Sequence, residues 1–434
     1  SPAFGAASLD ADAVLPDPRE MQRIEASIDS ALEYLVKTQN PDGSWPSNGH
    51  RIGVSAFCVL AFLGRGHEPG RGPYKAVVET LPVQLAAGEG PDVGRVADLG
   101  GLNKHYLDLT PHLSAARQKA WAENFASTLP WFRAGPQDKG IYGLMSQLTV
   151  TGAYVNKTLF DQAKVPMPDA KATWDDWMAA ADKVAKATKT PFAMAMDRSG
   201  HRFAPLAVAY GAKLFDDKGV PVVDAGYQTA VKKFVDWHKS GLMPKEVWGG
   251  VGGSQYRDAF EEFANGRVVM YYSGSWQVKR MDTQVTKAFD WTVVPAPCGP
   301  AACTAMPGGA AFVALKRTKQ PALAAKFLDY LSEDANYKEL MAKTENIPAS
   351  LSVAKAGVTY NVSPGAKAAL NTFVADVPKI AQPNFALQGY RFNRVVFNQT
   401  AQRVGQAVAG EMSVDDAIKR LTSDIDEQVK AASK

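Results

Sequence analysis

The chain has 434 residues, 46% of them hydrophobic, which is enough to pack two lobes and too apolar for a disordered segment. Its 48 Lys and Arg against 44 Asp and Glu leave a formal charge of +4, with the signs interspersed; no basic stripe with interleaved aromatics supports nucleic-acid binding. No run approaches the roughly 18 consecutive apolar residues of a membrane helix, the richest being Val54 to Leu63.

Residues Ser1 to about Arg19 hold Pro2, Pro16 and Pro18 among small and acidic residues and read as an extended arm. No basic stretch followed by an apolar run opens the chain, so the expectation is that any export signal has been removed or was never there. From Met21, Ile24, Ile28, Ala31, Leu32, Leu35 and Val36 recur at helical spacing up to Asn40-Pro41-Asp42-Gly43. A second apolar segment, Ile52 to Leu63, admits a strand through its β-branched residues and a helix through Ala56, Leu60, Ala61 and Leu63. A Gly/Pro-rich joint, Gly64 to Gly72, ends it. Helix, Gln39 to Trp45 (QNPDGSW), helix resembles one repeat of the squalene-cyclase and prenyltransferase α/α-toroids. A toroid needs several repeats to bury its faces, so residues 21–70 are expected to form a helical hairpin without a catalytic cavity.

Tyr74 to Gly88 is expected to be helical, and Pro91-Asp92-Val93 to enter a strand. The stretch Gly140 to Phe160 then joins two β-prone runs, Tyr142 to Val150 and Gly152 to Val155, with no turn signal between them. That pattern predicts one strand leaving one sheet and entering another, a hinge beside a cleft. Downstream, Thr173 is an N-cap with Asp175 and Asp176 in the first helical turn. Helices are expected near Tyr227 to Ser240 and Tyr256 to Asn265, a strand from Met270 running into a helix at Trp276, and a return segment Trp291 to Pro297. Pro307-Gly308-Gly309 should precede a strand Ala311 to Leu315, followed by a helix Gln320 to Leu331 and a further crossover at Asn346-Ile347-Pro348. Helices from about Phe392 end with Val414 to Val429, capped by Ser413.

The hinge stretch, with LAAGEGPDVGRVADLG before it and KATWDDWMAAADKVAK, EEFANGRVVMYYSGSW, TAMPGGAAFVAL and GEMSVDDAIKRL after it, resembles the extracellular solute-binding proteins of sugar ABC transporters from Tyr74 to the C-terminus. The resemblance implies an α/β fold, two-lobed, of the type II periplasmic binding protein kind with hinge crossovers, here preceded by the helical hairpin. Residues 1–72 would be the arm and hairpin, 73–150 and 296–346 lobe one, and 151–295 with 347–434 lobe two. It further implies a sugar or small glycoside in the interlobe cleft, a membrane permease as partner, a monomer, a periplasmic or extracellular location, and no cofactor or metal. In this register the hairpin stands where the family's opening strand belongs.

A sugar site stacks an aromatic ring on apolar C–H faces while fixed polar groups read the hydroxyls. Trp276, following a strand end across Gly274, resembles the family's stacking tryptophan; a core indole is the alternative. Arg95 and Asp98 either meet ligand hydroxyls or pair with each other. Ser146 and Gln147 sit at the crossover, lining the cleft or capping the ladder, while Gly308 and Gly309 permit close backbone approach. Tyr390 and Arg391, with Arg394, lie in QGYRFNR, where an arginine can grip a hydroxyl or an anion, with solvated helix-start arginines as the alternative. His201 and Arg202 read as a polar loop, exposed in preference to facing the cleft, and Trp174, Trp177, Trp237 and Trp291 as core. Cys298 and Cys303 flank a turn-forming loop at a spacing that suits a small disulfide, with two free thiols as the alternative. Cys58 reads as a buried small hydrophobe. No GxSxG, P-loop, HExxH or GxGxxG in strand–helix context appears, so no enzyme is expected.

Overall fold

The computed structural model describes residues 33–38, 92–97, 99–135, 137–250 and 252–433. It separates into a unit of Ser1–Asp92 and a unit of Val93–Lys434. In the first, residues 33–38 are helical, with Thr38 Oγ1 donating to the Tyr34 carbonyl at 2.9 Å. The extended arm, the rest of the hairpin over 21–70 with its toroid-like loop, Cys58 and the helix expected over 74–88 lie outside the described residues.

The second unit is built on β1 (Val93–Val96), β2 (Gly143–Asn156), β3 (Phe192–Met196), β4 (Val268–Gly274), β5 (Trp291–Val294) and β6 (Pro307–Ala314). Their order is β1-β6-β2-β4-β3, with β5 also pairing β2. β2 is the shared element. Gly143 to Val150 pairs antiparallel with β6, and from Thr151 onward the strand pairs with β4 and β5 instead. Where the ladder changes partner, hydroxyls take up the backbone groups. The Val150 N–H donates to Ser275 Oγ at 3.2 Å, and the Met306 N–H donates to Thr151 Oγ1 at 2.8 Å.

β6 begins earlier than expected. Gly308 and Gly309, expected to precede the strand, are ladder residues opposite Thr149 and Leu148. Gly309 has φ +130°, and a Cβ there would run into the Gln147 carbonyl, so only glycine keeps the strand paired beside the bulge between Met145 and Gln147.

Helix Trp174–Thr188 starts at a reciprocal cap: the Asp176 N–H donates to Thr173 Oγ1 at 3.1 Å, and the Thr173 N–H to Asp176 Oδ2 at 2.9 Å. Its apolar face buries Trp174, Trp177 and Met178. Helix Val414–Ala432, capped by Ser413, buries Ile418, Leu421, Ile425 and Val429 and packs on helix Asn393–Ala409. That helix in turn packs on Gly200–Ala209, Ala225–Lys239 and Lys245–Gly249. Trp237 and Trp291 are also core residues. Cys298 and Cys303 are joined by a disulfide.

Two local expectations fail for stated reasons. Residues 201–202 are not an exposed loop: they open helix Gly200–Ala209, because Ser199 Oγ accepts the His201 N–H at 3.3 Å as its cap. The helix expected from Tyr256 is confined to Phe260–Ala264. Asp197 takes the Ala259 N–H at 2.9 Å and Arg198 bridges Arg257 through the backbone, which keeps the preceding residues out of the helix.

Candidate functional site

A cavity of about 430 Å³ lies beside the point where β2 changes partner. β1, β2 and β6 contribute Arg95, Gln147, Thr149, Gly308 and Gly309, and the turn after β4 contributes Trp276. The facing wall carries His201 and Arg202 from one helix, Ser254 and Tyr256 from a loop, and Arg394, Phe397 and Asn398 from helix Asn393–Ala409.

Trp276 is placed by what surrounds its ring. A Cβ on Gly274 would run into the indole, so the glycine lets the ring fold back over the strand end. The Arg202 guanidinium lies 4.1 Å from the Trp276 ring centroid and 5.2 Å from that of Tyr256, a cation held between two aromatic faces. Asp197 fixes Arg202 from behind at 3.5 Å. This carboxylate is fully buried and accepts from Ser273 Oγ (2.6 Å), Tyr271 Oη (2.8 Å), the Ala259 N–H (2.9 Å) and Tyr256 Oη (3.0 Å). Burial pushes its pKa up, against the Arg202 charge and these hydrogen bonds, which pull it down.

Arg198 is buried and spends its N–H groups on carbonyls alone: Trp248 at 2.9 Å, Gly253 at 2.6 Å, Ala401 at 3.1 Å, and Gln255. It thereby ties the loop before Tyr256 to helix Asn393–Ala409. His201 Nε2 meets the Pro307 carbonyl at 3.0 Å. Burial first, then the Arg202 charge, hold its pKa well below 6.5, so the ring is neutral. A neutral ring facing a carbonyl carries its proton on Nε2 and leaves Nδ1 as an acceptor, 3.5 Å from Arg202 Nη1. Across the cavity, Arg95 Nη2 donates to Gln147 Oε1 at 2.8 Å, and Gln147 Nε2 donates to Asn346 Oδ1 at 3.0 Å.

Against known proteins, residues 64–369 match the sequence profile of the bacterial extracellular solute-binding proteins. The chain belongs to that family. This solute-binding protein is 27% identical over 297 residues to the maltodextrin-binding protein MdxE of Bacillus subtilis, a match covering 64% of this chain and 65% of the relative, just under two thirds of its length. Its fold is shared with an ABC substrate-binding protein from Listeria monocytogenes solved with cycloalternan (TM-score 0.66, 16% identity, 82% of this chain and 89% of the other). It is shared equally with the GacH receptor of Streptomyces glaucescens, solved unliganded and with acarbose (TM-score 0.66, 16% identity, 91% and 96%). These neighbours establish the two-lobed mixed α/β architecture, and the family is one of solute-binding transport components rather than enzymes. The likeness of residues 21–70 to a toroid repeat gains no support from these matches.

Of the residues singled out from sequence, the solute-binding protein brings Arg95, Gln147, Trp276, Gly308 and Gly309 to one cavity. Ser146 does not line it: the side chain is buried and its Oγ donates to the Ala310 carbonyl at 3.1 Å. Tyr390 and Arg391 do not line it either. Tyr390 packs edge-on against Phe215 and Phe392, at 5.3 and 5.7 Å, and Arg391 lies 4.4 Å over the Phe392 ring. Arg394 of the same stretch takes the lining position, because the helix starting at Asn393 turns it toward the cavity side of Phe397 and Asn398. Asp98 lies outside the described residues. Thr149, Tyr256, Phe397 and Asn398 were not picked out from sequence; for Thr149 the signal was present, two positions from Gln147 on the same strand face. Among the described residues no His, Cys, Asp and Glu cluster suits a metal, and no helix is long and apolar enough to cross a membrane.

Proposed function

We propose that the protein binds a sugar or small glycoside in the cavity beside β2 and delivers it, as a monomer in the periplasm or extracellular space, to the permease of an ABC transporter. The observation that carries this is Trp276, an indole set at a strand end by Gly274 and Arg202 and ringed by fixed polar groups, which is what saccharide recognition requires. Trp276, Arg95 and Gln147 would contact the ligand through side chains, Gly308 and Gly309 through the backbone. Lobe one (73–150, 296–346) and lobe two (151–295, 347–434) would close on it about the crossovers; the change of partner between Val150 and Thr151 supports that division. Relatives named for maltodextrin and solved with cycloalternan and acarbose point to the same ligand class.

The test is calorimetry and thermal shift on the full chain against mono- and oligosaccharides, including maltose, maltotriose and arabinooligosaccharides. A dissociation constant on the order of micromolar, about 8 kcal/mol of binding, is expected for at least one. A panel in which no saccharide raises the melting temperature defeats the proposal.

A further inference from the structure

We infer that the saccharide taken by this cavity is acidic, with a uronate-type carboxylate received by Arg394 and Arg95. The inference rests on the cavity being the saccharide site proposed above.

Four arginines line the cavity, Arg95, Arg198, Arg202 and Arg394, and among the described residues no Asp or Glu side chain does. One carboxylate, Asp197, touches them from behind, and its ion pair is with Arg202. The balance at the wall is therefore four cations less one anion, three positive charges in excess, since His201 is neutral. The excess is not diluted by solvent everywhere. Arg198 is buried with only carbonyl dipoles around it, and a buried cation without a counterion leaves its field in the neighbouring cavity. An anion in the cavity would supply the missing opposite charge.

The donor geometry agrees. Among the described residues the Arg394 side chain makes no hydrogen bond or ion pair, and the Arg95 side chain commits a single nitrogen, to Gln147. Both forks keep paired N–H groups for a carboxylate, which guanidinium binds in bidentate fashion. A neutral sugar fits this wall less well. Its hydroxyls need acceptors as much as donors, and the strongest side-chain acceptors, carboxylates, are missing from the described lining.

The experiment is titration calorimetry on the full chain with trigalacturonate, its methyl ester, maltotriose and inorganic sulfate, at low and high salt. The acid should bind about tenfold or more tighter than the ester, with affinity falling as salt rises. Arg394→Gln should remove most of that difference, the acid losing several-fold more affinity than the ester. If the first variant fails to fold, Arg95→Gln is read by the same narrowing of the acid-to-ester affinity ratio. Ester or maltotriose binding as tightly as the acid overturns the acidic assignment and leaves the saccharide site standing. Sulfate binding with no acidic saccharide binding overturns it in favour of a plain anion pocket. Silence from every saccharide removes both the assignment and the site reading beneath it.

Discussion

Replacing Trp276 by Ala separates ligand recognition from folding. The indole is half-buried on a short turn, Ser275–Gln277, just past the end of β4. One ring face is already covered by the Arg202 guanidinium at 4.1 Å, so only the rest of the ring is open to a ligand. If a sugar covers about 80 Å² of that surface, the contact contributes about 2 kcal/mol at roughly 25 cal/mol per Å². The expected loss is therefore about thirtyfold in dissociation constant. The saccharide that most stabilises the wild type should be titrated into both proteins by calorimetry, with the apo melting curves as the folding control. A variant that melts like the wild type and binds that saccharide with unchanged affinity refutes the placement of Trp276 in the ligand wall.

Asp197→Asn strips Arg202 of its buried counterion and leaves at least one donor in the cluster misdirected; denaturant titration should show a loss of about 3–5 kcal/mol, and a loss under 1 kcal/mol would show that the pair is dispensable. For pH dependence the sign follows from the histidines. Burial chiefly lowers the pKa of His238 to about 4 and holds that of His201 well below 6.5. Below 6.5 the unfolded chain takes up protons that the folded chain refuses, so this stability is present above pH 6.5 and is lost as pH falls toward 4. His238 alone should account for about 2 kcal/mol between pH 6.5 and 5, and urea midpoints of wild type and His238→Phe should diverge over that interval; parallel curves would contradict it. Intact mass of the unreduced protein should show Cys298 and Cys303 bonded, and Cys303→Ser should cost about 2 kcal/mol for so short a loop, whereas alkylation of both thiols under oxidising conditions would refute the bond.

The elements that the sequence made legible are those whose causes are local. The shared strand was visible because two β-prone runs follow one another with no turn signal between them, and the caps at Thr173 and Ser413 because capping spans only a few residues. What stayed hidden is decided at long range. Tyr256 enters the wall through its bond to Asp197, 59 positions away in the chain, and through carbonyls that Arg198 claims 55 and 57 positions on. Gly308 and Gly309 read as lying just before the strand because glycine is disfavoured within strands; their place in β6 depends on partners in β2 that no local pattern reports. Tyr390 and Arg391 were preferred over Arg394 within one heptapeptide because the helix start that sets which residue faces the cavity carries no side-chain cap at Phe392.

Two classes of side chain meet in the cavity, and they imply different costs on binding. Asp197 orients Arg202, Arg202 lies against Trp276, and Arg198 secures the loop that carries Tyr256, so this wall is arranged before any ligand arrives. Groups already ordered lose little further entropy, which is why such a wall favours shape selection. Arg394 has no such anchoring among the described residues, and ordering a long side chain costs up to about 2 kcal/mol. A bidentate charged contact of about 1.5–3 kcal/mol offsets that, whereas a single bond to a neutral hydroxyl, about 1 kcal/mol, does not. If the aromatic wall recognises the sugar ring as proposed, the same arithmetic gives Arg394 a reason to discriminate by charge.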